Sequence, residues 1–158
     1  MKPEIRIGYG WDSHEFKPGV PLKIGGLSLA HSHGLAGHSD GDVLLHALTD
    51  ALLGAVAAPD IGSLFPPSDP QWKGADSAVF LQEALKRIYE AGYELINVDS
   101  TLILAAPKIG PHAAALRQNV AKLLKLPADC VGIKAKTPEG MGTDHAAIAH
   151  AVVLLKRR

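Results

Sequence analysis

Cysteine is almost absent from this chain: Cys130 is alone among 158 residues. A single thiol cannot form an internal disulfide, so the expected setting is the cytoplasm. Long apolar runs are missing too. Nothing approaches the roughly 20 consecutive apolar residues of a membrane span, and the opening Met1-Lys2-Pro3-Glu4 lacks the apolar core of a secretion signal. Charge of one sign is not in excess: 16 Lys and Arg offset 16 Asp and Glu. Without a basic surplus or a dense basic run, neither nucleic acid nor membrane is an expected partner. Repeats, linkers and breaks in composition are also lacking, which predicts one domain over residues 1–158. A chain of this length buries roughly 68–70% of its unfolded surface and needs no disulfide staple.

What is present is a globular composition, 47% apolar and 20% charged, with an oversupply of histidine. Four of the eight histidines fall between His31 and His46. Clustered imidazoles in a neutral chain raise the possibility of a metal before any motif is considered.

The hydrophobic pattern predicts a strand over Ile5–Tyr9, a hairpin of Leu22–Ile24 with Leu27–Leu29, and a loop over residues 30–41. A helix follows over Asp42–Val56, then an irregular loop over residues 57–74. Ser77–Ala91 reads as an amphipathic helix with Asp76 as its cap, and Glu94–Ala106 as a strand. Pro111 opens a third helix that ends near Leu124, and Val131–Thr137 and Ala147–Leu155 are the last strands. This order predicts an α/β fold, an α+β sandwich with one mixed β-sheet and its helices packed on one face. The bare face of such a sheet needs a cover, and self-association supplies one.

The helix from Asp42 carries the main physical signal. Val43, Leu44, Leu45, Ala47, Leu48, Ala51, Leu52 and Leu53 leave it almost no wet face. Asp42, His46 and Asp50 interrupt this at every fourth residue and so form one stripe. Burying such groups unpartnered costs several kcal/mol, roughly, so a metal or an anionic ligand is expected beside them. A second signal is Asp12-Ser13-His14 at the end of the first strand, where alternation lets Asp12 and His14 face one ion. Asp12, His14 and His46 supply the three N/O ligands of a catalytic zinc with an open position. Asp50, one turn below His46, is a candidate to orient the ligand imidazole.

These segments resemble the 2-C-methyl-D-erythritol 2,4-cyclodiphosphate synthase family. The resemblance is carried by Arg6-Ile7-Gly8-Tyr9-Gly10-Trp11-Asp12-Ser13-His14, by His38-Ser39-Asp40-Gly41-Asp42 continuing through Leu45-His46-Ala47-Leu48-Thr49-Asp50-Ala51, and by Asp60-Ile61-Gly62. Phe65-Pro66, Ser68-Asp69-Pro70, Ala106-Pro107-Lys108, and Thr137 with Glu139 follow in the same order. The resemblance implies Zn²⁺ on Asp12, His14 and His46, and a second ion, Mg²⁺ or Mn²⁺, on Glu139. It implies that Asp12, Ser13, His14, His38, Ser39, Asp60, Ile61, Gly62, Phe65 and Asp69 surround the methylerythritol phosphate part of a cytidine diphosphate-linked substrate. Leu104, Ala105, Ala106, Pro107, Lys108, Ile109 and Gly110, with Lys136, Thr137, Pro138 and Glu139, would hold the cytidine and diphosphate. His38 and Thr137 match the family's transition-state stabilisers. The implied reaction is a metal-dependent intramolecular phosphoryl transfer that releases CMP in isoprenoid precursor biosynthesis. The implied assembly is a homotrimer with sites between subunits.

Two departures stand out. Pro67 occupies a position where many members have an aspartate, and Gly140–His145 contains no arginine. A zinc-dependent phosphate ester hydrolase is the alternative reading, because Asp-x-His with a distant His can also activate water.

Overall fold

The computed structural model describes all residues, Met1–Arg158. Its centre is a five-stranded mixed sheet in the order β4-β1-β7-β5-β6, formed by β1 (Ile5–Pro18), β4 (His33–Leu35), β5 (Tyr93–Ile103), β6 (Val131–Lys136) and β7 (Ala146–Arg157). A separate hairpin pairs β2 (Leu22–Ile24) with β3 (Leu27–Leu29). Only β5 and β6 run parallel, joined by a crossover that contains helix α4 (Ala113–Leu124). Helices α1 (Val43–Ala55) and α3 (Ser77–Glu90) join α4 on the same side of the sheet. The mixed sheet with helices on one face is therefore the architecture expected from the order of elements.

Side-chain size explains how closely α1 approaches the sheet. The inward positions of β1 under α1 are Gly8 and Gly10, and those of β7 are Ala147, Ala149 and Ala151. A Cβ at Gly8 would lie 1.8 Å from the Ala51 carbonyl oxygen, and one at Gly10 would lie 1.9 Å from that of Ala47. Only hydrogen fits there, so the two glycines set the helix against the strand. The apolar residues of α1 then fill the core, with Val43, Leu44, Leu45, Leu48, Leu52 and Leu53 all fully buried.

The opposite face of the sheet is bare. Alternation along β1 sends Ile5, Ile7, Tyr9 and Trp11 outward, with Ile7 68% and Tyr9 58% exposed; Val152 of β7 joins them. This is an unusual concentration of exposed large apolar side chains for one strand.

Several expectations need correction. The first strand does not end at Asp12-Ser13-His14. It pairs with β7 as far as Glu15 and then with β4 over Phe16–Pro18. The stretch 30–41 is not wholly loop, because β4 is created by that pairing and has no signal of its own. The loop 57–74 contains a four-residue helix, α2 (Ile61–Leu64), and a 3-10 turn at Pro70–Trp72, capped by Asp60 and Asp69. Both are too short to generate a periodicity.

Candidate metal centre and substrate pockets

The metal candidates converge. Asp12 and His14 project from the same face of β1, and His46 reaches them from α1, so that one ligand atom from each lies within 4.8 Å of the others. His46 Nδ1 is 3.2 Å and His14 Nδ1 2.9 Å from Asp12 Oδ2. His14 Nδ1 is nevertheless buried and has no properly aligned hydrogen-bond partner. A buried imidazole nitrogen left in this way beside a carboxylate is a donor awaiting a cation. Burial alone would push the Asp12 carboxyl up, but His14 and His46 together outweigh it and hold the carboxyl below its ordinary range. The donor set of two imidazoles and one carboxylate suits a divalent metal.

The stripe on α1 divides into three separate environments. Asp42 is fully buried and structural: its carboxylate caps α1 by accepting from Leu45 N and also accepts from Gly25 N and Gly26 N at 2.9 and 2.7 Å. Those two glycines have φ of 60° and 79°, the left-handed region, which turns both N–H groups of the β2–β3 turn toward one carboxylate. Burial pushes the Asp42 carboxyl up, and the three backbone donors oppose that. No ligand is needed to compensate it.

Asp50 also departs from the expectation. It accepts from Ile61 N at 2.8 Å and makes no hydrogen bond to His46. Burial raises its carboxyl, with repulsion from Asp60 and Asp12 adding to the effect. The His46 ring leans toward the start of α1, as helical side chains do, and so away from a residue one turn later. Its Nε2 instead meets Ser77 Oγ at 2.7 Å and Ser39 Oγ at 3.1 Å. Ser77 escaped notice in the sequence because there it marks only the start of a helix; no local pattern links it to a residue 31 positions earlier.

A cavity of about 170 Å³ opens beside the cluster. His14, His38, Ser39, His46, Ile61, Gly62 and Phe65 line it, as do Pro67, Trp72 and Phe80, which sequence reading did not assign to the substrate. His38 Nε2 lies 3.2 Å from the Asp69 carbonyl. The Asp69 side chain turns onto Gln71 and caps the 3-10 turn, while Asp60 caps α2 in the open. Hydrogen bonds from Ser63 lower the Asp60 carboxyl. Ser13 alternates to the other face of β1 from Asp12 and His14. Phe65, Trp72 and Phe80 form one aromatic group, with Phe65 and Phe80 centroids 4.5 Å apart.

A second cavity, about 350 Å³, lies at the C-terminal ends of the parallel pair β5 and β6. Leu104, Ala105, Pro107, Lys108, Ile109, Gly110, Lys136 and Thr137 line it, and Leu104 N donates to the Lys136 carbonyl at 3.1 Å. Ala106 lies in the same segment but faces a neighbouring hollow with His31 and His33. Thr137 Oγ1 donates to Glu139 Oε1 at 2.6 Å, Pro138 lies buried between them, and Glu139 has φ of 52°, a region few non-glycine residues occupy. The two cavities share no lining residue. No helix is long and apolar enough to cross a membrane.

Comparison with known proteins bears on what this arrangement does. The YgbB family pattern matches residues 5–156. A 2-C-methyl-D-erythritol 2,4-cyclodiphosphate synthase of Koribacter versatilis is 66% identical over 154 residues, covering 98% of this chain and 99% of that protein. A chloroplastic enzyme of the same name from Oryza sativa is 53% identical over 98% of this chain and 71% of its own length. A solved structure of a 2C-methyl-D-erythritol-2,4-cyclodiphosphate synthase in its CDP-bound form superposes with a TM-score of 0.91 at 46% identity, over 96% of this chain and all of that one.

Proposed function

The chain belongs to the YgbB family, the 2-C-methyl-D-erythritol 2,4-cyclodiphosphate synthases, and on that premise we propose how its own residues carry out the reaction. It is a lyase acting on a phosphorus–oxygen bond. It converts 4-diphosphocytidyl-2-C-methyl-D-erythritol 2-phosphate to 2-C-methyl-D-erythritol 2,4-cyclodiphosphate and releases CMP. The observation that carries the site assignment is the convergence of Asp12, His14 and His46 beside a cavity that His14 and His46 line.

The nucleophile is an oxygen of the substrate's own 2-phosphate, which is anionic at neutral pH. No protein base is required. The oxygen attacks the β-phosphorus, the bond to the bridging oxygen breaks, and CMP leaves. The barrier lies in bringing two anions together, so the work of the protein is positioning and charge compensation. Asp12, His14 and His46 would hold Zn²⁺, which when bound would supply Lewis-acid polarisation of a phosphate oxygen. His38 and Ser39 donate hydrogen bonds from the cavity wall to the methylerythritol phosphate. Gly62 and its neighbours Ile61 and Phe65 shape the pocket around the sugar, with Asp60 and Asp69 at its edge. The segment Leu104–Gly110 cradles the cytidine. Lys136 and Thr137 face the diphosphate, where Thr137 and His38 stabilise the charge of the transition state. Glu139 offers a single carboxylate that would help hold a second ion, Mg²⁺ or Mn²⁺, which would supply charge compensation for the diphosphate.

The metal-side cavity and the nucleotide-side cavity are separate within one chain. Together with the bare apolar row on β1, this supports a homotrimer in which one copy's nucleotide pocket completes its neighbour's metal pocket. Each chain acts as a single domain, in the cytoplasm. The test is to incubate the protein with zinc, magnesium and the cytidine diphosphate-linked substrate and follow the products by phosphorus NMR. CMP with a cyclic diphosphate is the expected outcome. Acyclic monophosphates in place of the cyclic diphosphate would establish the hydrolase alternative.

A further inference from the structure

Two residues with no assigned part in the reaction hold the far side of the His46 ring. Ser77 opens α3 and is fully buried. Its hydroxyl lies 2.7 Å from His46 Nε2 and also donates to Asp40 Oδ1. Asp40 Oδ2 accepts from Ser77 N at 3.0 Å, and Asp40 Oδ1 accepts from Asp42 N at 3.1 Å. We propose that Ser77 and Asp40 are positioning residues of the metal centre, which set the imidazole of His46 with its proton on Nε2 and its lone pair on Nδ1 facing the cation. The inference rests on the metal reading above and deepens it.

The argument is one of donor counting. A hydroxyl has one hydrogen, and a carboxylate contributes only acceptors here. The Ser77 hydrogen is committed to Asp40, so toward His46 the hydroxyl oxygen can only accept. Nε2 must then carry the imidazole proton. In the neutral ring this leaves the lone pair on Nδ1, the nitrogen that lies 3.2 Å from Asp12 Oδ2 within the ligand cluster. Ser39 Oγ, 3.1 Å from the same Nε2, also lines the cavity, and its hydroxyl remains available to substrate while Ser77 keeps the ring in place. The hydroxyl of Ser77 is itself fixed, since Asp40 binds both its backbone N–H and its side chain, and the Asp76 carboxylate caps α3 at Ala78 N. A ligand imidazole whose second nitrogen is held in this way keeps its tautomer and its aim.

The experiment uses the full chain. Zinc affinity is measured by competition with a chromophoric chelator for the wild type, Ser77→Ala, Ser77→Thr, Asp40→Asn and His46→Ala, and the His46 Nε2 proton is followed by NMR in the zinc-loaded proteins. Ser77→Ala is expected to bind zinc about 10- to 100-fold more weakly, with the Nε2 proton exchanging rapidly. Ser77→Thr is expected to restore both readings. Asp40→Asn is expected to shift both in the same direction as Ser77→Ala, and carries the test if the alanine variant does not fold. A merely structural role for Ser77 would lower the melting temperature without moving either reading. Zinc affinity within twofold of wild type and an unchanged Nε2 proton in Ser77→Ala, with zinc lost in His46→Ala, would overturn the positioning role alone. A wild-type protein that takes up no stoichiometric zinc overturns the metal reading and this inference together.

Discussion

His46 Nδ1 stands 3.2 Å from Asp12 Oδ2 although 34 residues separate the two in the chain. Helix α1 can bring the imidazole there only because β1 carries no side chain at Gly8 and Gly10, directly beneath it. Removing the imidazole tests the site without removing the core. His46→Ala is expected to abolish stoichiometric zinc, read by elemental analysis, and to reduce CMP release to background. Far-UV circular dichroism should remain that of the wild type, because the aliphatic packing of α1 is untouched.

The two glycine environments on this helix–strand contact predict opposite signs. Gly10→Ala would force a methyl to within 1.9 Å of the Ala47 carbonyl oxygen, so α1 and β1 must separate. The expected loss is at least about 2 kcal/mol, with weakened zinc binding, since the ligands sit on those two elements. Gly54 lies on the exposed side of α1 near its end, and its nearest neighbour would be an ordinary 3.8 Å away. Gly54→Ala is expected to stabilise by about 0.5–1 kcal/mol through helix propensity alone. Chemical denaturation of the two variants checks both values.

Asp50 gives a pH-dependent prediction. Burial and the nearby carboxylates Asp60 and Asp12 raise its folded-state pKa above the unfolded value near 3.8. For an acid shifted in that direction, the folded state binds the proton more readily than the unfolded state. The contribution of Asp50 is therefore favourable below the unfolded pKa and is lost as pH rises through the folded one. Asp50→Asn keeps an oxygen to accept from Ile61 N and removes the charge. In metal-free protein the variant is expected to melt higher than wild type at pH 7, and the gain should vanish near pH 4 and below. A gain that persists or grows in acid would show that the charge of Asp50 is not what destabilises the fold.

The exposed row on β1 predicts assembly. Ile7→Glu places a charge at a position 68% exposed in the single chain, so the monomer itself has no reason to unfold. If this face joins subunits, a buried carboxylate there is expected to dissociate them. For the proposed trimer, sedimentation should shift to that of the monomer, and CMP release should fall with it if each site draws residues from two copies. Unchanged sedimentation would remove this face from the interface.

The sequence by itself determined the burial of α1, the pairing of Asp12 with His14 on one strand face, and the identity of the three metal candidates. These follow from periodicity and from residue chemistry, which are local. It also announced the cap at Asp76, but for Asp42 it suggested a ligand where the structure has a helix cap. Only the tertiary structure decided how each buried charge is satisfied. Asp42 is answered by the N–H groups of Gly25 and Gly26, Asp50 by Ile61, and His46 by Ser77 and Asp40. The reason is that a hydrogen-bond partner is chosen by direction and distance in space, and the elements that supply it are far away along the chain. Periodicity can say that a polar group is buried; which donor reaches it depends on how closely the elements pack, and that was settled here by two glycines under one helix.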